Sequence, residues 1–217
     1  MTHGTPMTAA IVLAAGRSQR MGTNKLLLPF AGSSVLARVV DACRGAPADP
    51  VLVVGRPPLA PLREALGNRP VTWVENPDPT ADMLASLRCG LRALPATVES
   101  LIVTPGDLPS LEPALVCRML TDFRAGQAGI LVPVHRGRRG HPVILAARYR
   151  EELLRTHDGV GLRGLLHAHA AETTEWGTDD PAVLEDIDTP AEYALARSRT
   201  DAAGQASAER HNATPLA

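Results

Sequence analysis

An uninterrupted apolar run near the start of the chain leads directly into a loop that carries glycine and positive charge. Residues 9–15 are all small or apolar, which is typical of a strand buried on both faces of a parallel sheet. The loop that follows contains the glycines and cations Gly16, Arg17, Arg20, Gly22 and Lys25. Glycine lets successive backbone N–H groups turn inward and form a concave anion site. The pattern therefore predicts a loop that binds polyphosphate.

The spacing within this loop excludes the two commonest phosphate-binding patterns. A Walker loop has four residues between its glycines and then Lys and Ser/Thr at once, whereas here five residues separate Gly16 from Gly22 and Lys25 is followed by Leu26. A dinucleotide fingerprint needs Gly-x-Gly, but Ser18 stands at the place of the second glycine. The sequence therefore indicates neither a P-loop ATPase nor an ordinary NAD-binding domain.

Length and charge limit the classes of protein that this chain can belong to. Its 217 residues suffice for one α/β domain, which we assign to residues 8–199, with 1–7 as a leader and 200–217 as a disordered tail. The formal net charge of −1 gives no overall field that attracts nucleic acid. No apolar run is long enough to span a membrane, and no secretory signal is present. Three cysteines without a Cys-x-x-Cys pair indicate reduced thiols in a cytoplasmic protein.

Short apolar runs alternate with segments of helical periodicity along the chain. The predicted strands are 9–15, 51–55, 71–74, 101–104, 130–134, 142–146 and the edge strand 172–176. The predicted helices are 35–44, 58–66, 83–94, 113–123, 147–155, 162–170 and 190–199. This order predicts an α/β fold, a three-layer Rossmann-like arrangement with a mostly parallel central sheet. The strands 130–134 and 142–146 pair either as a hairpin or as neighbours in the main sheet.

Polar loops follow several of the predicted strands. In doubly wound sheets, ligands gather at the carboxyl ends of the strands, so the loop with Arg20 and Lys25 should share one crevice with Asn76 and Asp107. Phosphoryl and nucleotidyl transfer depend mainly on positioning and charge neutralisation. We therefore expect Arg20 and Lys25 to contact the β- and γ-phosphates, and the backbone of Gly16–Ser18 to donate to the phosphates. Arg17 is either a phosphate contact or a solvated surface residue.

Two acidic stretches are candidates for holding Mg²⁺, which takes one or two carboxylates together with phosphate oxygens and water. Asp107 lies at the end of a strand between two prolines that fix its direction, although an Asp there also suits a helix cap. Asp186 and Asp188 alternate around Ile187, so only one of them can face the site if the segment is extended. We favour Asp188 as the second ligand, with a helix cap before Pro190 as its alternative role.

Three stretches of the chain together resemble a known family. Leu13–Lys25 reads Leu-Ala-Ala-Gly-x-Ser-x-Arg-Met-Gly-x-x-Lys, residues 105–109 read Pro-Gly-Asp-x-Pro, and residues 186–190 read Asp-Ile-Asp-Thr-Pro. In order and spacing these motifs resemble those of the molybdenum cofactor nucleotidyltransferases, the MobA/MocA-like NTP transferases. The resemblance covers residues 8–199, which is nearly all of the expected domain.

The resemblance implies an enzyme with a Rossmann-like fold and Mg²⁺ chemistry. The terminal phosphate of molybdopterin would attack the α-phosphorus of a nucleoside triphosphate and release pyrophosphate. A phosphate monoester is already a good nucleophile at neutral pH, because its second pKa is near ~6. The implied catalytic residues are Arg20, Lys25 and Asp107, and the implied metal ligands are Asp107 and Asp188. The implied nucleotide-binding residues are Leu13, Ala14, Ala15, Gly16, Arg17, Ser18 and Lys25.

The same comparison of motifs favours CTP over GTP as the nucleotide. The guanylyl branch of the family has Gly and Asp where this chain has Ala15 and Asn24, whereas Arg138–Pro142 matches the Arg-x-Gly-His-Pro of the cytidylyl branch. The isoprenoid-pathway cytidylyltransferases carry a related loop, but with Gly in place of Ser18 and Pro before the lysine. Asn76 and Ser86 are candidates for contacts with the base or ribose.

One position departs from the family pattern, and one turn has two interpretations. Asp82 stands where the cytidylyl branch has glycine, and two hydroxyl-bearing residues of that segment are missing. The basic turn 135–141 is either a solvated hairpin tip or a binding site for the second substrate, in which case Arg139 and His141 are its likeliest members. We assign three histidines further along the chain, His157, His167 and His169, to the surface.

Three hypotheses for the whole protein follow. The first is CTP-dependent nucleotidyl transfer to molybdopterin, and the guanylyl branch is its nearest alternative. The second is transfer to a sugar phosphate or an alditol phosphate on the same fold. The third is a non-catalytic carrier that presents the cofactor to a molybdoenzyme partner. Asp82 favours the carrier, whereas Asp107 and Asp188 favour an enzyme.

Overall fold

The computed structural model describes residues 7–78, 80 and 82–200. Most of the expected leader and residues 201–217 of the expected tail lie outside the described residues. Residue 200, the first of the expected tail, belongs to the last helix. No helix in the described part of the chain has both the length and the apolar character to cross a membrane.

A central, mostly parallel sheet organises the chain. Its strands are β1 (Thr8–Ala14), β4 (Val51–Gly55), β5 (Thr72–Glu75), β6 (Ser100–Pro105), β7 (Ile130–His135), β8 (Arg138–Arg139), β9 (Val143–Ala146) and β10 (Thr173–Gly177). Their order is β10-β7-β9-β6-β1-β4-β5, with β8 paired to β7. A separate two-stranded ribbon consists of β2 (Pro29–Phe30) and β3 (Ser33–Ser34).

Only the strands after β6 depart from the parallel arrangement. β9 runs antiparallel to both β6 and β7, and β8 runs antiparallel to β7, while all other pairs in the main sheet are parallel. Both alternatives for the two strands after residue 129 are therefore partly right, because β7 and β9 pair antiparallel inside the main sheet. β10 is an edge strand, as the sequence predicts.

Helices cover both faces of the sheet. They are α1 (Val35–Gly45), α2 (Ala60–Leu66), α3 (Met83–Ala93), α4 (Pro113–Ala125), α5 (Arg150–Arg155), α6 (Leu162–Ala168) and α7, which covers 190–200. The predicted helix 58–66 begins two residues later, and the predicted helix 147–155 starts as a 3-10 turn over Ala147–Tyr149. The side chain of Ser34 accepts a hydrogen bond from the backbone N–H of Ala37, which caps α1.

The apolar run of β1 divides its side chains between the two faces. Ala10 and Val12 point into the core beneath α1, α2 and α4, whereas Ala9 and Ile11 point into the core beneath α3, α5 and α6. All four are completely buried. This is why the run has no polar alternation, and it confirms the three-layer α/β fold that the sequence predicts.

The chain changes direction across the sheet at β1. It passes from β1 to β4 and β5 on one side and then returns to β6 on the other. The carboxyl ends of β1 and β6 meet where the backbone N–H of Gly106 donates to the carbonyl of Leu13 at 2.9 Å. A Cβ on Gly106 would lie 3.2 Å from that same carbonyl oxygen. The close approach of the two chains creates a crevice at this switch point.

A polar cluster joins α5 to the segment after α6, and it corrects our assignment of two histidines to the open surface. The Nε2 atoms of His157 and His169 lie 2.8 and 2.7 Å from the two carboxylate oxygens of Glu152, and both rings are half-buried. The hydrogen bond to Glu152 raises the pKa of His169. Burial alone would raise the pKa of Glu152, but the hydrogen bonds with His169 and His157 outweigh it and lower that pKa.

Glu152→Gln is expected to destabilise the protein more at pH 6 than at pH 9. A raised pKa of His169 contributes stability that is complete below about pH 6.5 and is lost as the pH rises through the folded-state pKa. The free energy of unfolding should therefore fall by about 0.5–1 kcal/mol near pH 6 and by less at pH 9, as urea titrations at both pH values would measure. Glu151→Gln is the matched control, because Glu151 pairs with the non-titrating Arg155. An equal loss at both pH values for Glu152→Gln would contradict this role.

Candidate active site

A cleft of about 790 Å³ opens at the carboxyl ends of β1 and β6. It is lined by most of the site residues that the sequence singled out, namely Leu13, Ala15, Gly16, Arg17, Ser18, Arg20, Lys25, Ser86, Asp107, Arg139, His141 and Asp188. Two others do not line it. Ala14 packs into the core beneath α1, and Asn76 is buried behind the cleft wall. The crevice expected at the switch point therefore brings together residues that are far apart in sequence.

The loop after β1 is held by Ser18 as much as by its glycines. Ser18 has φ +47° and Gly22 has φ +66°, so the left-handed positions of the loop are these two and not Gly16. The Ser18 hydroxyl accepts a hydrogen bond from the backbone N–H of Lys25 at 3.2 Å, and the Ser18 carbonyl accepts from Met21 at 3.0 Å. A Cβ on Gly16 would meet nothing within 4 Å. Gly16 therefore leaves space in the cleft where a side chain would otherwise intrude.

Lys25 lies at the centre of the charged residues in the cleft. Its Nζ is 2.5 Å from Oδ2 of Asp107 and 2.7 Å from Oδ1 of Asp188, and its side chain is only 10% exposed. Arg20 reaches the other oxygen of Asp188 at 2.5 Å. Burial alone would lower the pKa of Lys25, but the two carboxylates outweigh it and raise the pKa. The hydrogen bond from Lys25 lowers the pKa of Asp188, so the Lys25 ammonium and the Asp188 carboxylate are both charged at neutral pH.

The segment around Asp188 is fixed to the loop that carries Asp107. The backbone N–H of Ile187 donates to the carbonyl of Asp107 at 3.0 Å. Thr189, and not Asp188, caps α7, because its hydroxyl accepts from the backbone N–H of Glu192, whose carboxylate accepts from the N–H groups of Asp188 and Thr189. This is a capping box, and it leaves the Asp188 carboxylate free to face the cleft.

The condition under which only one of the two acids in this segment would face the site, an extended strand, is not met. Asp186 and Asp188 both line the cleft. The expectation assumed an extended strand, but residues 185–188 are irregular between a 3-10 turn and α7, so side chains need not alternate. Burial is the main cause that raises the pKa of Asp186, and the charge of Asp107 adds to it.

The carboxylates fit a divalent cation that binds together with a phosphate. Oδ1 of Asp107 is buried and has no hydrogen-bond partner, although Oδ2 is paired with Lys25. Within residues 7–78, 80 and 82–200 no group of three or more His, Cys, Asp or Glu side chains is arranged to hold a metal ion. Mg²⁺ needs only one or two carboxylates when phosphate oxygens and water complete its shell. Asp107 and Asp188 could supply them.

Asn76 and Ser86 form a buried pair at the edge of the cleft. The side-chain amide of Asn76 donates to the Ser86 hydroxyl at 2.9 Å, and its carbonyl accepts from the backbone N–H of Asp78. Ser86 lines the cleft, whereas Asn76 does not. Asn76 therefore orients Ser86, and only Ser86 is in a position to contact a ligand. The sequence could not separate these roles, because both residues are polar and close to the ends of elements.

Asp82, the departure from the family pattern, caps α3. Its carboxylate accepts a hydrogen bond from the backbone N–H of Ala85 at 2.8 Å, and the residue also lines the cleft. An Asp directly before the helical run was the signal for this cap, which the sequence analysis missed. The cap of α3 therefore explains the aspartate at position 82 in structural terms.

Asp82→Ala is expected to lower the free energy of unfolding by about 1 kcal/mol, because the first turn of α3 loses its side-chain acceptor. Asn caps helices as well as Asp does, so Asp82→Asn should leave the unfolding free energy within about 0.5 kcal/mol of the parent. Chemical denaturation of both variants measures the difference. Equal losses for the two would mean that the charge of Asp82, and not its cap, stabilises the fold.

The basic turn contributes one wall of the cleft. Arg139 lines it but is also paired with Glu175 of β10 at 2.9 Å. The backbone N–H of His141 donates to Val183 at 2.9 Å, and a Cβ on Gly140 would lie 2.1 Å from the Val183 carbonyl oxygen. Burial is the main cause that lowers the pKa of His141, which makes its imidazole neutral at pH 7.

Two lining arginines and one glycine were not among the residues predicted for this site. Arg138 and Arg163 both line the cleft. Arg138 belongs to the basic turn that the sequence singled out, but Arg163 comes from α6, and no local motif marks it. Gly140 is required by the contact with Val183, and its place beside His141 in the basic turn was the available signal.

Comparison with known proteins agrees with this geometry. Residues 10–173 match the MobA-like NTP transferase domain. Two similar proteins are the 2-C-methyl-D-erythritol 4-phosphate cytidylyltransferase of Prochlorococcus marinus (strain MIT 9313), 34% identical over 83% of this chain and 85% of that protein, and the molybdenum cofactor cytidylyltransferase of Escherichia coli (strain K12), 26% identical over 87% of this chain and 95% of that protein.

Solved structures show the same fold. The crystal structure of Rv0371c from Mycobacterium tuberculosis H37Rv superposes with a TM-score of 0.80 at 28% identity, over 90% of this chain and 99% of that one. A complex of Rv0371c with manganese superposes with a TM-score of 0.74 at 26% identity, over 88% of this chain and 98% of that one. The matched domain covers most of the chain, including the loop after β1 and Asp107. The chain belongs to the family of MobA-like NTP transferases.

Proposed function

We propose that this protein transfers CMP from CTP to the terminal phosphate of molybdopterin and releases pyrophosphate. The proposed catalytic unit is residues 8–199. The observation that carries the proposal is the placement of Lys25 between Asp107 and Asp188, in a cleft that the loop after β1 also lines. This arrangement offers cations to the phosphates and carboxylates to a divalent metal ion at the same place.

The loop after β1 and its cations would hold the triphosphate. An ammonium group has three N–H donors, and two of those on Lys25 point at Asp107 and Asp188, so the third is available to a phosphate oxygen. Arg20 is exposed, with a side chain 68% accessible, and can add a second cation to the leaving phosphates. The charge on these oxygens rises as pyrophosphate leaves, and donors already in place stabilise that charge without rearranging.

A divalent cation bound with the nucleotide would neutralise charge on the phosphates, and Asp107 and Asp188 are the residues that would hold it. The buried Oδ1 of Asp107, which lacks a partner, is the atom best placed for this role. Manganese bound to the similar Rv0371c shows that such a cation occurs in a relative of this fold. For this chain we propose Mg²⁺.

The transfer itself forms one bond and breaks one. An oxygen of the acceptor phosphate bonds to the α-phosphorus, and the bond from that phosphorus to the oxygen bridging to the β-phosphorus breaks. The released group is pyrophosphate. At neutral pH the acceptor phosphate is already ionised, so no residue of the chain has to remove a proton. The residues act by positioning and by charge.

CTP is the nucleotide that the observations support best. Residues 138–141 of the motif Arg138–Pro142 line the cleft, and both curated relatives described above are cytidylyltransferases. Ser86, oriented by Asn76, is the candidate contact to the base or ribose. GTP is the alternative nucleotide within the same family.

A second candidate acceptor is an alditol phosphate, and the sequence relation to a 2-C-methyl-D-erythritol 4-phosphate cytidylyltransferase favours it. Both acceptors present a phosphate monoester, so the chemistry at the α-phosphorus is the same. A carrier that presents the cofactor to a molybdoenzyme has less support, because its main argument was Asp82, and that residue caps α3.

Release of pyrophosphate with a matrix of nucleotides and acceptors tests the proposal. We expect pyrophosphate only when CTP, Mg²⁺ and molybdopterin are all present. Activity with GTP as the only nucleotide that reacts would indicate guanylyl transfer. Activity with 2-C-methyl-D-erythritol 4-phosphate as the acceptor would support the second candidate. Binding of the molybdenum cofactor without any turnover would favour the carrier.

A further inference from the structure

The positive side chains of the cleft differ in whether acids already neutralise them. Lys25 and Arg20 pair with Asp107 or Asp188, and Arg139 pairs with Glu175. Apart from Arg17, which belongs to the loop after β1, the two that remain are Arg138 and Arg163, which the sequence analysis did not predict. The side chains of Arg138 and Arg163 have no ion pair or hydrogen bond with any described residue, and both are exposed to the cleft.

These two arginines come from different elements and reach the same wall. Arg138 lies on β8, in the turn after β7, and Arg163 lies on the first turn of α6. The half-buried His141 is close enough to Arg163 for the charge to lower the pKa of the imidazole. Asp186 also faces this wall, but among described residues it forms no ion pair within 4 Å. The wall therefore combines two guanidinium groups that form no ion pair with the His141 imidazole and the Asp186 carboxylate.

The position of β8 separates this wall from the loop after β1. β10 occupies one edge of β7 up to Val134, so β8 pairs with the other edge, in line with β9. In the order of the sheet, β6 lies between β9 and β1. Because β8 is in line with β9, β8 lies two strand spacings from β1, about 10 Å across the sheet. The backbone of the loop after β1 and the backbone of Arg138 therefore lie on different sides of the cleft. This separation favours a second anionic group, and not the leaving pyrophosphate, as the ligand of this wall.

We propose that Arg138 and Arg163 form the subsite for the phosphate monoester of the acceptor, beside His141 in the same wall of the cleft. Guanidinium groups match phosphate oxygens with paired N–H donors. The proposal rests on the proposed function only for the identity of the acceptor. The proposal also changes the role of Arg139. Because Arg139 is paired with Glu175, it supports the wall and is not the main contact with the phosphate.

The test uses inorganic phosphate as the probe and a non-reacting CTP analogue with a methylene group between the α- and β-phosphorus. Isothermal titration measures the binding of phosphate to the protein saturated with the analogue and Mg²⁺. We expect Arg138→Gln and Arg163→Gln each to weaken phosphate binding about 10-fold and the double variant about 100-fold. Binding of the analogue itself should change less than about 3-fold.

Arg136→Gln is the matched control, because Arg136 lies on the same turn but does not line the cleft. It should leave phosphate binding unchanged. The arginine variants should keep the melting temperature of the parent, since no described residue depends on either side chain. Arg163→Lys should retain part of the affinity, because it keeps the charge and loses the paired donors.

Several outcomes would overturn the subsite. They are absence of phosphate binding by the parent protein, equal binding by parent and double variant, and a loss of analogue affinity that equals the loss of phosphate affinity. Failure of the proposed function would look different. The protein would then give no pyrophosphate with any acceptor tested, while phosphate would still bind to the parent and not to the double variant.

Discussion

Lys25→Met is expected to lower kcat/KM for nucleotidyl transfer by about 100- to 1000-fold, the usual cost of removing one preorganised donor to developing charge. Met keeps the length of the side chain but supplies no N–H group. The loss should be mainly in kcat, because the charge on the leaving phosphates is greatest in the transition state. Steady-state pyrophosphate release with varied CTP measures both constants.

Arg69→Met is the control for this substitution. Arg69 also forms a tight pair, with Asp41 at 2.7 Å, but it does not line the cleft. Its replacement should lower stability and leave kcat unchanged at a temperature where the variant is folded. A Lys25→Met variant that is folded and has more than half of the parental kcat/KM would show that Lys25 only balances the charges of Asp107 and Asp188.

Asp107→Asn is expected to lower kcat by about 1000-fold and to weaken the binding of a divalent cation in the presence of CTP. The amide has the shape of the carboxylate but lacks the negative charge that a hard cation prefers. The backbone carbonyl of Asp107, which accepts from Ile187, is not altered by the change. The position of Asp188 should therefore be kept.

Asp41→Asn is the matched substitution outside the cleft, since it also removes one carboxylate from an ion pair. We expect it to retain full activity. If raising the Mg²⁺ concentration restores Asp107→Asn to the parental rate, the residue contributes only to cation affinity. Parental activity at ordinary Mg²⁺ concentrations would contradict any role of Asp107 in the reaction.

The apolar run of β1 allowed the fold class to be predicted, because a strand without alternation has to be covered on both faces. The loop that follows, together with Asp107 at the end of β6, then predicted the place of the cleft from the rule for doubly wound sheets. Both predictions use local pattern and a general property of parallel sheets. The structure places Lys25 and Asp107 in contact, as this reasoning requires.

Other features depend on contacts that no local pattern encodes. Arg163 of α6 lines the cleft together with His141 of the basic turn, although the two elements are separate in the sequence. Asn76 is buried behind Ser86, and the residues next to Asn76 in the sequence do not predict this burial. The segment with Asp186 is irregular, so the alternation of side chains along a strand does not apply there.

The capping box at the start of α7 was within reach of sequence reasoning, which offered a helix cap only as an alternative role of Asp188. Thr189 and Glu192 are three positions apart around a proline, which is the usual pattern at a helix start. Recognising this capping box in the sequence would have excluded the capping role as an alternative for Asp188. The distance between Asp188 and Lys25, which are 163 residues apart along the chain, could come only from the folded structure.

Binding of Mn²⁺ in the presence of CTP, followed by the relaxation of water protons, is the most direct test of how this cleft works. We expect the parent protein to give a large enhancement with Mn²⁺ and CTP together, beyond that of Mn²⁺ and CTP without protein. Asp107→Asn should reduce the affinity at least about 10-fold, whereas Asp41→Asn should bind like the parent. Equal enhancement for the parent and Asp107→Asn would contradict the central claim that this carboxylate holds the cation against the nucleotide.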